Sequence, residues 1–102
     1  MKRTLEKIVD YAIKITEPEE IILFGSTANG TANVFSDVDL LIISDNPLIK
    51  KDAVVRIRNF SESYCLKADV LIYTKAELKT ELNTPFSFVS AIVKTGKIIY
   101  KK

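Results

Sequence analysis

The sequence predicts a small α/β (α+β) domain in which a mixed β-sheet carries helices packed mainly on one side, and three observations predict it. First, short apolar runs of strand length recur at Ile21–Phe24, Leu40–Ile43, Val70–Tyr73 and Ile98–Tyr100, too short for helices and bounded by polar residues or glycine. Second, amphipathic stretches with helical spacing lie between and around them. Third, the order helix, strand, strand, helix, strand, helix, helix, strand alternates the two element types within 102 residues, with no repeat, low-complexity segment or long linker. A chain of that length makes one domain, residues 1–102, with a real but small core.

Leu5, Ile8, Val9, Ala12 and Ile13 fall on one helical face from about residue 3 to 15, opposite Glu6, Lys7, Asp10 and Lys14. Thr16-Glu17-Pro18-Glu19 breaks that helix, and a strand follows from about Glu20 to Phe24. Asn29-Gly30 would close a single helical turn after Ser26. A second strand, about Val38 to Ser44, is apolar on both faces beyond Asp39, which suits a strand covered on both sides. Asp45-Asn46-Pro47 caps a helix whose buried stripe is Ile49, Ala53, Ile57, Phe60 and Tyr64. Ala68 to Tyr73 is a third strand with Asp69 near its start, an unusual residue for an apolar strand. Thr74-Lys75-Ala76-Glu77 has the form of a capping box and starts a short helix to about Leu82. A further helix runs from about Pro85 to Thr95 and stops at Gly96, with one apolar stripe of Phe86, Val89 and Val93 and a second of Phe88, Ala91 and Ile92. Lys97 to Tyr100 forms the last strand.

Composition narrows the chemistry. A net charge of +2 without a basic cluster is too slight for direct nucleic-acid binding. No apolar run approaches transmembrane length, and Lys2, Arg3 and Glu6 come too early for a signal peptide, so a cytoplasmic protein without membrane contact is expected. Cys65 is the only cysteine; no internal disulfide can form, and a buried small hydrophobe is its expected role. The chain has no histidine, which removes Ser-His and Cys-His machinery, His bases and most zinc sites. Any catalysis must therefore rest on carboxylates and metal ions. A hydrophobic fraction of 47% is high for so small a domain and points to apolar surface kept for a partner.

The stretch Gly25 to Leu40 offers that chemistry. Gly25 lets a ligand approach the backbone as the first strand ends, and Ser26 adds a hydroxyl and an N–H that can face an anion. Asp37 and Asp39, two apart at the mouth of the second strand, share one face, where two carboxylates repel unless a cation lies between them. Taken singly, each half reads as a polar turn or a strand cap; each beside a buried strand, they read as a phosphate cradle next to a metal site. Asp69 is the natural third ligand. Among Lys50, Lys51, Arg56 and Arg58, a solvated basic face competes with a cation that neutralises a triphosphate. Nucleotidyl transfer needs such a set: two Mg²⁺ ions about 3.5–4 Å apart can hold the attacking and leaving oxygens, and Mg²⁺ prefers carboxylate and water ligands. Asp37 and Asp39 would hold the triphosphate-bound metal and share the second ion, Asp69 would complete that second site and orient or deprotonate the acceptor hydroxyl, and Gly25 and Ser26 would grip the phosphates.

Gly25-Ser26, Ala28, Gly30 and Ser36-Asp37-Val38-Asp39-Leu40, with Asp69 on a later strand, resemble the minimal nucleotidyltransferase (MNT) domains of the DNA polymerase beta-like superfamily. The resemblance spans nearly the whole chain, departing at Thr27 and Asn29, where that family commonly carries arginines. It implies ATP as substrate and two Mg²⁺ ions. The shortest members of that family resemble antitoxins that bind an all-helical HEPN ribonuclease toxin and in some cases transfer AMP to its tyrosine. The resemblance therefore implies three alternatives: an AMP-transferring antitoxin, an antitoxin that neutralises its partner by binding alone, and a transferase acting on a small molecule such as an aminoglycoside. Intact Asp37, Asp39 and Asp69 point to the first, loss of the two arginines to the second, and the lack of a domain to hold a small acceptor speaks against the third. Homo-oligomerisation is left open.

Overall fold

A computed structural model describes residues 2–25, 38–46 and 50–102. Its elements run α1 (Lys2–Thr16), β1 (Glu20–Phe24), β2 (Val38–Ile43), α2 (Lys50–Glu62), β3 (Ala68–Tyr73), α3 (Lys75–Leu82), α4 (Phe88–Thr95) and β4 (Lys97–Lys101). The expected element order and the mixed α+β class are both found. The strands form one sheet in the order β3-β2-β1-β4. β1 is antiparallel to both β2 and β4, and β2 is parallel to β3, the α2 crossover joining them.

Strand pleating sorts the core into two layers. Ile21, Leu23, Val38, Leu40, Ile42, Ala68, Val70 and Ile72 face α1 and α2, where Ile8, Ala12, Ala53 and Ile57 complete the larger cluster. Ile22, Leu41 and Ile43 face the other way and meet Val89 and Ile92 of α4, with Leu78 of α3 beside them. The two long helices thus pack on one side, and the two short ones cover part of the opposite face. β2 is central and covered on both faces, which is why it carries apolar residues at consecutive positions. Tyr11 of α1 stacks on Phe60 of α2 with centroids 4.4 Å apart, which fixes how the long helices meet.

One end of the sheet is stitched by polar contacts. Ser44 Oγ donates to the Thr16 carbonyl at 2.7 Å, and the Lys75 N–H donates to Asp45 Oδ1 at 2.9 Å. Thr74 caps α3 as expected, its hydroxyl accepting from the Glu77 N–H while the Glu77 carboxylate accepts from the Thr74 N–H. That backbone contact, then Lys50 Nζ at 2.9 Å, holds the Glu77 carboxyl below its ordinary pKa.

Three expectations need correction. Cys65 is exposed, not buried. It sits at φ +60° just past α2, where the Cys65 N–H donates to the Glu62 carbonyl and the Leu66 N–H donates to the Ser61 carbonyl; this helix-closing motif turns Cys65 outward and buries Leu66 instead. α4 begins at Phe88 rather than Pro85, because Phe86 at φ +62° cannot continue a helix and the Ser87 hydroxyl accepts from the Ser90 N–H as the cap. The later start changes the stripes: Val89 and Ile92 are buried together, whereas Phe86 is wholly exposed and Phe88 is 67% exposed. Tyr64 is exposed beyond the end of α2, resting against Phe60, and Pro47 to Ile49 lie outside the described residues. Gly96 ends α4 as expected, and a Cβ there would press on Ile22 Cγ2 at 2.5 Å, so the close approach of α4 to β1 requires glycine.

Candidate active site

The end of the sheet away from those polar stitches holds the candidate site. β1 leaves the core at Phe24, and the chain turns at Gly25 with φ +79°, a left-handed conformation that suits glycine. A Cβ on Gly25 would run into the Asp39 carboxylate, with Asp39 Cγ at 3.2 Å from where it would stand. The bare backbone of the turn and the Asp39 side chain therefore occupy adjoining space. Chemistry that needs a phosphate beside a carboxylate-held cation would need just this proximity.

Register supplies the second juxtaposition. Phe24 of β1 pairs with Asp39 of β2, and Asp39 pairs with Asp69 of the parallel strand β3. Paired residues of adjacent strands project from the same face about 4.8 Å apart. Because Leu40 and Val70 point into the α1/α2 layer, Asp39 and Asp69 must project from the α3/α4 face. Asp39 is half-buried and Asp69 exposed. Like charges side by side on a sheet are destabilising without a cation, and their hard oxygen donors fit Mg²⁺. Two of the three expected carboxylates, which lie 30 positions apart in sequence, are thus neighbours in the sheet.

Ser26 and Asp37, also expected in the site, lie outside the described residues, as do Ala28, Gly30 and the departures at Thr27 and Asn29. Among the described residues no three His, Cys, Asp or Glu side chains cluster as a metal site, since Asp39 and Asp69 make a pair. Sequence reasoning named Phe88 but missed Phe24, the ring it meets. Their rings meet edge to face at 6.2 Å, and Phe24 is the β1 residue paired with Asp39. The signal available was Phe24 itself, a large aromatic at the last position of a buried strand. No described helix is long and apolar enough to cross a membrane.

Residues 3–99 match the model of the nucleotidyltransferase domain. The chain belongs to the nucleotidyltransferase domain family. No curated protein matches it significantly. Among solved structures, this nucleotidyltransferase domain is similar to a toxin–antitoxin pair crystallised with AMP-PNP (TM-score 0.66, 19% identity, 95% of this chain and 73% of that one). It is similar also to a mutant MntA–HpeT toxin–antitoxin pair (TM-score 0.67, 17% identity, 95% and 72%). A third match is a complex of a tri-AMPylated Shewanella oneidensis HEPN toxin with its MNT antitoxin (TM-score 0.61, 16% identity, 99% and 72%). At these identities the similarity is one of fold, and the fold is the small nucleotidyltransferase fold expected from the sequence.

Proposed function

We propose that this nucleotidyltransferase transfers AMP from ATP to a hydroxyl, a tyrosine, of a helical HEPN-type partner, and so acts as the antitoxin of a toxin–antitoxin pair in the cytoplasm. The observation that carries the reading is the row Gly25, Asp39, Asp69, in which a turn with open backbone, a strand carboxylate and a second carboxylate follow one another across one face of the sheet. Similarity in fold to an MNT antitoxin bound to its AMPylated HEPN toxin supports the same reading.

In this reading the backbone at Gly25, with Ser26, binds the β- and γ-phosphates through N–H and hydroxyl donors. Asp37, Asp39 and Asp69 would hold two Mg²⁺ ions, which when bound neutralise charge that builds on the phosphates. Asp69 accepts a hydrogen bond from the acceptor hydroxyl and takes its proton as the oxygen bonds to the α-phosphorus, while pyrophosphate leaves with the electron pair of the broken P–O bond. The chain has no histidine, so the proton acceptor in this reading is a carboxylate.

The partner enters through the apolar surface. Phe86, Phe88, Leu82 and Ile98 are exposed large hydrophobics, and Ile98 pairs with Ile22 on the same face of the sheet as Asp39. Such a patch on one face marks an interaction site. Phe88→Asp is therefore expected to weaken the complex with the HEPN partner by about tenfold or more, with the thermal midpoint of the isolated domain nearly unchanged. Isothermal titration of partner into the variant, beside a thermal melt, checks this; collapse of the fold would return Phe88 to the core and remove the patch.

A further inference from the structure

We infer that the outer edge of β3, unpaired among the described residues, is the lane along which the acceptor is presented: an extended, hydroxyl-bearing segment of the partner protein adds there as a fifth strand beside Asp69. The inference rests on the transfer reading above and specifies how its acceptor is held.

The backbone of β3 is half used. The Val38 N–H donates to the Lys67 carbonyl at 2.8 Å and the Ser44 N–H donates to the Tyr73 carbonyl at 2.9 Å. In a parallel ladder alternate residues face the same neighbour, so residues 67, 69, 71 and 73 address β2. The N–H and C=O groups of Ala68, Val70 and Ile72 consequently point to the side where, among the described residues, the sheet has no strand.

The two edges of the sheet differ in how they are guarded. β4, at the other edge, carries lysines at both ends, and its pairing with β1 is broken by an irregularity between Ile21 and Ile22. Lysines and bulges are the usual devices that keep an edge from pairing. β3, with the sequence ADVLIY, has neither, and no proline. Beside it runs an apolar groove of about 760 Å³, lined by Leu71 and Tyr73 and by Val54 and Val55 of α2, with Lys51 and the Lys50–Glu77 ion pair also on its wall. Val55 is 54% exposed there.

Position relative to the site decides the occupant. Across the sheet the order is the Gly25 turn after β1, Asp39 on β2, Asp69 on β3, and then the edge. With the nucleotide held at the first two, the β3 edge gives a segment of the docked partner a route to Asp69 from the side away from the phosphates. A strand added at the edge would lie about 4.8 Å away, and its residue opposite Asp69 would share the Asp69 face with side chains about 5 Å apart. A hydroxyl there can donate to the Asp69 carboxylate, lose its proton to it and bond to the α-phosphorus as pyrophosphate leaves. The segment's apolar residues would meet Val54 and Val55, and an acidic residue would meet Lys51.

The test uses the whole chain and a defined probe: a ten-residue peptide with one central tyrosine, valine alternating with glutamine on either side and glutamate at one end. A second peptide has the same sequence with alternate amides N-methylated. With ATP and Mg²⁺, AMP is expected on the tyrosine of the first peptide, and hydrogen exchange at Ala68, Val70 and Ile72 is expected to slow on binding. The N-methylated peptide should do neither. Val55→Asp should cut transfer about tenfold at unchanged ATP affinity. Transfer without slowed exchange in β3, or transfer equal in Val55→Asp, overturns the lane and leaves the transferase reading standing. No slowing of β3 exchange by the peptide at millimolar concentration also overturns the lane. Slowed exchange that depends on protein concentration alone, with a dimer in native mass spectra, assigns the edge to a second copy and overturns it as well. Failure of the wild type to bind ATP with Mg²⁺ sinks the transferase reading itself.

Discussion

Asp39→Asn is expected to abolish Mg²⁺-dependent ATP binding and to lower AMP transfer beyond the roughly 10–100-fold loss seen when a residue merely orients a metal ligand. Asp39 touches both halves of the site, lying against the Gly25 turn on one side and in register with Asp69 on the other. Loss of its charge removes an oxygen donor for the cation and the partner of the phosphate turn at once. Asp69→Asn should behave differently. Its place on the outer strand keeps it from the phosphate turn, so ATP affinity should stay within about threefold, or ~0.6 kcal/mol, while transfer is lost. Relief of repulsion with Asp39 should leave the metal-free thermal midpoint equal to or above that of the parent. Calorimetric ATP titrations with and without Mg²⁺, together with melts of both variants, read these differences. Equal ATP affinity with and without Mg²⁺ in the parent, or a lowered metal-free midpoint in Asp69→Asn, would assign the pair a structural role.

Gly25→Ala should be damaging on two counts. At φ +79° a side chain costs about 1–2 kcal/mol in backbone strain alone. The new methyl would also collide with the Asp39 carboxylate, so either the turn or the aspartate must move. A loss on the order of 2 kcal/mol or more in denaturant unfolding is expected, with ATP binding weakened further than the stability loss explains. A variant with normal stability and normal ATP affinity would mean that turn and carboxylate are not a functional unit.

Much of the fold was legible because strand and helix periods differ so clearly here. β2 could be read as doubly covered from Leu40 to Ile43 alone, and the Thr74–Glu77 capping box announced α3 directly. The start of α4 was not legible, because Pro85 is a good first residue for a helix and nothing local says that Phe86 will take a left-handed conformation. Cys65 was misread for a similar reason: residue type favours burial, but its place in the helix-closing turn favours exposure. In the site, spacing alone linked Asp37 to Asp39. The register of Asp39 with Asp69 depends on a parallel pairing between strands separated by α2, which no local pattern encodes. The contact of Gly25 with Asp39 likewise appears only once β1 and β2 are paired antiparallel.

The strand order also dictates a history for each molecule. β1 and β4 are neighbours in the sheet but stand at Glu20–Phe24 and Lys97–Lys101, so theirs is the strand pairing, among those described, that closes the longest loop. Closing long loops is slow, since entropy is lost before contacts repay it. The β1-β2-α2-β3 portion can assemble from nearer neighbours, leaving β4 and the α4 that leads into it to arrive last. The Phe24–Phe88 contact forms in that late step, so the carboxylate row can exist before the partner surface beside it is complete. Pulse-labelling hydrogen exchange during refolding should therefore protect the amides of β2 and β3 earlier than those of β4; simultaneous protection of all four strands would mean that the whole sheet condenses in one step.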